Sequence, residues 1–121
     1  MASRRLWQVD VTAAAARDFQ QALIWTREKF GEQQAGIYEQ TLLLSLEFLT
    51  RGPGAAGVRS RGDLSEDLMS LHVARRGRRG RHVIFFRLEV SEPFVMRVVR
   101  ILHDAMDFAR HLSAKDADRT A

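Results

Sequence analysis

Residues 6–11 (LWQVDV) alternate apolar and polar side chains with period two, which predicts a half-buried strand. Thr12 then precedes four alanines and is placed to cap a first helix running to Phe30. On that helix Ala15, Phe19, Ala22, Leu23, Thr26 and Phe30 recur at helical spacing and predict one buried face. Ile24 and Trp25 flank the back of this stripe and suggest a second contact surface. Gly31 ends the helix, and another begins near Glu32 and continues to about Thr50. Ala35, Tyr38, Leu42, Ser45, Leu46 and Leu49 line one side of it, while Ile37, Leu44 and Phe48 line another. A helix apolar over so much of its circumference is covered on two sides or awaits a partner.

Residues 51–63 (RGPGAAGVRSRGD) carry four glycines and one proline and predict a loop. Beyond residue 68 the period falls to two: Met69, Leu71 and Val73 alternate with Ser70 and His72. Residues 83–86 (VIFF) are continuously apolar, as in a central strand covered on both faces. A turn at 89–93 leads to another strand over 94–102, in which Arg97 and Arg100, at odd separation, should point to opposite faces. Residues 104–112 predict a short terminal helix, and a polar tail follows from about 113. With no repeat or second set of elements, the reading is a single α+β domain over residues 1–121. It is a helical hairpin packed on a small, mostly antiparallel four-stranded sheet, in the order β-α-α-β-β-β with a short C-terminal helix.

Length and composition fit that reading: 121 residues, 45% hydrophobic and 28% charged, describe one folded core and exclude a disordered chain. The absence of cysteine excludes disulfides, thiolate metal sites and thiol nucleophiles. The four histidines have no close-spaced pair on one helix face, so no metal is expected, and GPGAAG lacks the lysine and flanking strand of a phosphate loop. No apolar span approaches membrane length, so a cytoplasmic protein is expected.

Charge alters the picture more. Residues 51–103 hold 11 arginines against 5 acids, whereas residues 1–50 hold 5 basic and 6 acidic groups, so the net +4 sits in the sheet-forming half. Five arginines (Arg75, Arg76, Arg78, Arg79, Arg81) crowd into the turn between two predicted strands, divided by Gly77 and Gly80, which supply the positive φ that tight turns need. Charge at a hairpin tip guards against edge-to-edge pairing. It also suits an anionic partner, and no acid lies between Leu68 and Arg87 to neutralise it. His103, next to Asp104 at a strand end, has two readings: a hydrogen bond at the strand–helix junction, or a general base.

The helical hairpin, the glycine-rich loop, the segment LHVARRGRRGRHVIFFR and the ending RILHDAMDFARHL together resemble a ParE-type toxin of the RelE/ParE superfamily. The likeness spans residues 7–112. Its strongest matches are Ile24-Trp25 with Phe30-Gly31, and Arg100-Ile101-Leu102-His103 with Asp107. The resemblance implies the toxin of a type II toxin–antitoxin system, wrapped by a cognate antitoxin in a hetero-oligomer. ParE members poison DNA gyrase; RelE relatives cut ribosome-bound messenger RNA. Gyrase inhibition by binding is the first expectation, with the five turn arginines on the target and Trp25, Ile37, Leu44 and Phe48 under the antitoxin. The alternative is a ribosome-dependent endoribonuclease using Arg87, Arg100 and His103, a set that lacks a tyrosine in its own segment. A nucleic-acid-binding module without activity is favoured by charge alone. No cofactor is implied.

Overall fold

The computed structural model describes residues 5–112; the predicted polar tail lies outside them. Strand β1 (Gln8–Val11) enters helix α1 (Ala13–Phe30), whose cap is Thr12: its hydroxyl accepts the Ala15 N–H at 3.1 Å. Gly31, at φ 94°, donates its N–H to the Arg27 carbonyl and turns the chain into α2 (Glu32–Phe48), followed by one 3₁₀ turn at Leu49–Arg51. Then come β2 (Arg59–Ser60), β3 (Met69–His72), β4 (His82–Leu88), β5 (Val95–His103) and a four-residue α3 (Phe108–His111).

The sheet has five strands, not four, in the order β1-β5-β4-β3-β2. The added strand lies inside the predicted loop, where Arg59 and Ser60 pair with Ser70 and Met69. Two residues are too few to show alternation, so nothing in their pattern announces a strand. β1 runs parallel to β5 and the other pairs are antiparallel. The terminal helix is also shorter than predicted, because residues 104–106 form a turn in which the Ala105 N–H donates to His103 Nδ1 at 3.1 Å.

Two apolar clusters cover the sheet. Ala15, Ala22, Leu23, Leu42 and Leu49 from the helical segments meet Ile84, Phe86, Met96, Val98 and Ile101. Leu68, Val83, Phe85, Val99, Leu102 and Leu112 form the other cluster, so VIFF does face apolar groups on both sides. A bulge sits where β4 passes from Phe85 to Phe86: Phe85 pairs with Arg100 but Phe86 pairs with Val98, leaving Val99 unmatched. Val98 and Ile101, three apart, therefore share one cluster, and the same shift removes the premise that Arg97 and Arg100 must oppose each other. On α1 the predicted stripe is buried except at Phe19, which is half-buried against the core, and at its end. Phe30 is 64% exposed and sits edge-on to Trp25, because the chain turns away at Gly31.

β1 accompanies β5 only as far as Val98, and the exposed edge beyond is closed by α1. Thr12 donates its N–H to the Val98 carbonyl (3.0 Å) and its hydroxyl to the Val99 carbonyl (3.2 Å). Asp18 accepts the Ile101 N–H at 2.9 Å and pairs with Arg100 through both guanidinium arms.

Candidate binding groove

The arginine turn does not stand free of the body. It folds back along α2. Arg76 and Gly77 take positive φ (51° and 81°) at the tip, as the sequence required of Gly77. Gly80 serves a different need: a Cβ there would lie 2.5 Å from Val73 Cγ2 and 2.9 Å from Tyr38 Cε1, so its bareness lets the returning strand touch α2. The Arg81 N–H donates to Tyr38 Oη (3.3 Å), and Arg78 donates to Thr41 Oγ1 (3.1 Å). Arg75 stacks over the Phe48 ring at 3.6 Å, with Arg51 over the same ring at 5.2 Å. Burial, then repulsion from Arg76 and Arg51, pulls the Arg75 pKa below its ordinary value.

The five turn arginines thus divide. Arg75 and Arg78 fasten the turn to α2. Arg81 is held by the Asp104 carboxylate at 2.8 and 3.1 Å, so an acid distant in sequence neutralises it. Among the described residues, Arg76 and Arg79 are exposed and have no side-chain partner.

Between the turn and the helices lies a groove of about 820 Å³. Trp25, Phe30 and Ile37 form its apolar wall, Arg76, Arg78, Arg79 and Arg81 the opposite one, and Tyr38, His82 and His103 its floor. Tyr38 Oη lies 2.6 Å from His82 Nδ1, and the His82 and His103 rings meet edge to face with centroids 5.4 Å apart. Burial is the chief force pushing the Tyr38 phenol up to about 12. Burial and the neighbouring His103 push the His82 imidazole down to about 4. Beside them Asp104 is bonded by His72 Nε2 (3.0 Å) and by Arg81, in that order the causes that hold its carboxyl below the usual range.

A second depression follows α2 past Thr41 and is lined by Leu6, Leu44 and Phe48 with Arg75, Arg76 and Arg78. Of the residues expected to receive a partner, Trp25, Ile37 and Leu44 are between 41% and 49% exposed, whereas Phe48 is half-buried against the core. Leu43 is also 50% exposed but lines neither depression.

Arg87 and Arg100 line neither depression. Arg87 donates to the Glu66 carbonyl and to Ser65 Oγ; Arg100 is bound to Asp18 and the His111 carbonyl. His103 therefore keeps company with His82 and Tyr38, neither of which sequence reasoning selected. A signal existed for both. Tyr38 sits on the stripe with Ala35 and Leu42, so its hydroxyl needs a partner, and His82 shares the strand parity of Ile84 and Phe86, which face the helices.

The helical hairpin on a mixed sheet is a fold shared with solved chains of two toxin–antitoxin systems. A chain of the chromosomal ParDE toxin–antitoxin system from P. aeruginosa superposes with a TM-score of 0.65 at 17% identity, over 82% of this chain and 97% of that one. A chain of the RelBE2 toxin–antitoxin complex from Mycobacterium tuberculosis gives 0.55 at 20% identity, over 88% and 100%. The family model "ParE toxin of type II toxin-antitoxin system, parDE" matches residues 9–108. Toxin ParE1 of Caulobacter vibrioides is 31% identical over 91 residues, 74% of this chain and 82% of that toxin. The chain belongs to the ParE toxin family. Among the described residues no helix is long and apolar enough to cross a membrane.

Proposed function

We propose that the protein is a cytoplasmic toxin that inhibits DNA gyrase by binding, and that a cognate antitoxin neutralises it by covering the α2 face. Gyrase enters through family membership. The observation that carries the rest is that the arginine turn lies along α2, so the free cations and the exposed apolar residues share one surface. Arg76 and Arg79 are the side chains with charge to spare for a target; Arg75, Arg78 and Arg81 hold the frame that presents them. A partner segment that buries Trp25, Ile37 and Leu44, with the edge of Phe48, would also mask those cations. Toxin and antitoxin then form a hetero-oligomer in which inhibition is relieved by occlusion.

Substituting Arg76 and Arg79 together with alanine tests this reading. Both are exposed and unpaired, so thermal stability should stay within about 0.5 kcal/mol. Inhibition of gyrase supercoiling and of growth should both be lost. Full toxicity at equal expression would remove the turn as the target surface.

The endoribonuclease reading has one observation in its favour: Tyr38, His82 and His103 meet in a groove flanked by arginines. The arginines it first enlisted, Arg87 and Arg100, are engaged elsewhere. Cleavage of ribosome-bound message by the purified protein, abolished by His103→Ala, with gyrase untouched, would establish it over gyrase inhibition.

A further inference from the structure

The floor of the groove has a hydrogen-bonding polarity that neither target inhibition nor the fold requires. His103 Nδ1 receives the Ala105 backbone N–H, so that nitrogen acts as an acceptor, the pattern of an Nε2–H tautomer. Tyr38 Oη receives the Arg81 N–H, and the only acceptor within reach of its own hydrogen among the described residues is His82 Nδ1. Donation of that hydrogen to His82 Nδ1 gives His82 the same tautomer. The Nε2 atoms of both rings have no partner among the described residues, no unpaired side-chain nitrogen there is sealed from solvent, and both side chains line the groove.

We propose that this floor is a carboxylate subsite. His82 and His103, as Nε2–H donors, receive the side-chain carboxylate of an Asp or Glu on a docked peptide segment, and an apolar neighbour on that segment lies against Trp25, Phe30 and Ile37. An ionised carboxylate accepts and never donates, which matches two ring N–H donors on one groove floor. The strong downward push on His82 from burial keeps its ring neutral at physiological pH, as this polarity needs. A polyanion fits less well. Of the described arginines that line the groove, only Arg76 and Arg79 remain free for successive phosphates. The subsite rests on the reading that an antitoxin segment covers this face, and it names the acidic anchor of that segment.

Side-chain ¹⁵N spectra of the free protein near neutral pH should show both rings as Nε2–H. A synthetic peptide alternating Glu and Leu should move both sets of resonances and bind about tenfold more tightly than its Gln-for-Glu counterpart. Tyr38→Phe, which removes the hydroxyl shared by His82 and the Arg81 N–H, should release the His82 tautomer and cut that preference to about threefold. A protonated Nδ1 on His103 in the free parent protein, or equal affinity for the Glu and Gln peptides, overturns the subsite. So does oligothymidylate that moves the same resonances at lower concentration than the Glu peptide. None of these readouts uses antitoxin or gyrase. An antitoxin that neutralises the toxin without moving the histidine resonances sinks the subsite alone. A Glu preference retained by a protein whose antitoxin docks elsewhere sinks the occlusion reading alone.

Discussion

Asp18 holds together two elements that the sheet leaves unfinished, and its removal is the most direct measure of how the fold closes. Its carboxylate takes the Ile101 N–H at 2.9 Å and both arms of Arg100 at 2.7 and 3.0 Å, with 14% of its side chain exposed. β1 no longer pairs with β5 at Ile101, so no neighbouring strand can replace that acceptor. Losing it leaves a strand N–H without a partner, a cost of about 1–3 kcal/mol. Arg100 loses its counter-charge but keeps the His111 carbonyl and some solvent, adding about 1 kcal/mol after screening. Asp18→Ala should therefore cost about 2–4 kcal/mol, a large part of the roughly 5–15 kcal/mol available to a domain. Asp18→Asn keeps an oxygen for the Ile101 N–H and should cost about half as much. Arg100→Ala leaves the carboxylate on the backbone and should cost about 1 kcal/mol. Urea unfolding of the three single variants and the Asp18/Arg100 double alanine gives the coupling directly, expected at about 1 kcal/mol. An Asp18→Ala protein within 0.5 kcal/mol of the parent would refute the role assigned to this edge.

Two glycines should respond with opposite sign. Gly80→Ala should destabilise by about 1–3 kcal/mol and displace Tyr38, because its Cβ meets Val73 and Tyr38. Gly36→Ala, inside α2 with nothing within 4 Å, should stabilise by about 0.5–1 kcal/mol; thermal unfolding reads both. Stability should also fall with pH through His82. Its folded pKa of about 4 lies below the ordinary 6.5, so between these values the unfolded chain binds more protons and stability is lost as pH drops. From about pH 7 to about pH 5 the upper limit is about 2 kcal/mol, discounted to about 1 because the ring reaches solvent. His82→Phe should flatten that slope, and an unchanged slope would assign it to other groups. Leu44→Asp, at an exposed helix position, should weaken antitoxin binding measured by calorimetry while leaving the unfolding midpoint in place.

Local signals carried most of the fold. Thr12 and Gly31 marked the helix ends because caps and breaks are properties of single residues, and VIFF marked the central strand because burial on both faces leaves no polar position. What escaped is non-local. β2 exists only through its pairing with β3, and the Val99 bulge only through register with β4. The division of the arginines needs the position of α2 and of Asp104, 23 residues beyond Arg81. The Tyr38–His82 bond likewise joins residues 44 apart, although each alone advertised a polar atom on a buried stripe.

The folding back of the turn changes what five clustered arginines mean. An extended cationic turn would carry all its charge to a partner and lose side-chain entropy for each guanidinium it docked. Here Arg75, Arg78 and Arg81 lose that freedom on folding, to Phe48, Thr41 and Asp104. Their loss fixes Arg76 and Arg79 on a rigid ledge beside an apolar groove. The same three attachments bring Tyr38 against His82 and so set the polarity of the groove floor. Charge, apolar wall and donor floor are consequently not independent sites. Loosening the turn at Gly80 should disturb all three together, whereas removing Arg76 and Arg79 should disturb only the charge. Comparing Gly80→Ala with the Arg76/Arg79 double alanine therefore separates a surface that works as one unit from a patch of charge that happens to lie next to a groove. If both variants lose target inhibition but only Gly80→Ala loses antitoxin affinity, the unit is real. Equal loss of antitoxin affinity in both would mean that the cations alone hold the partner.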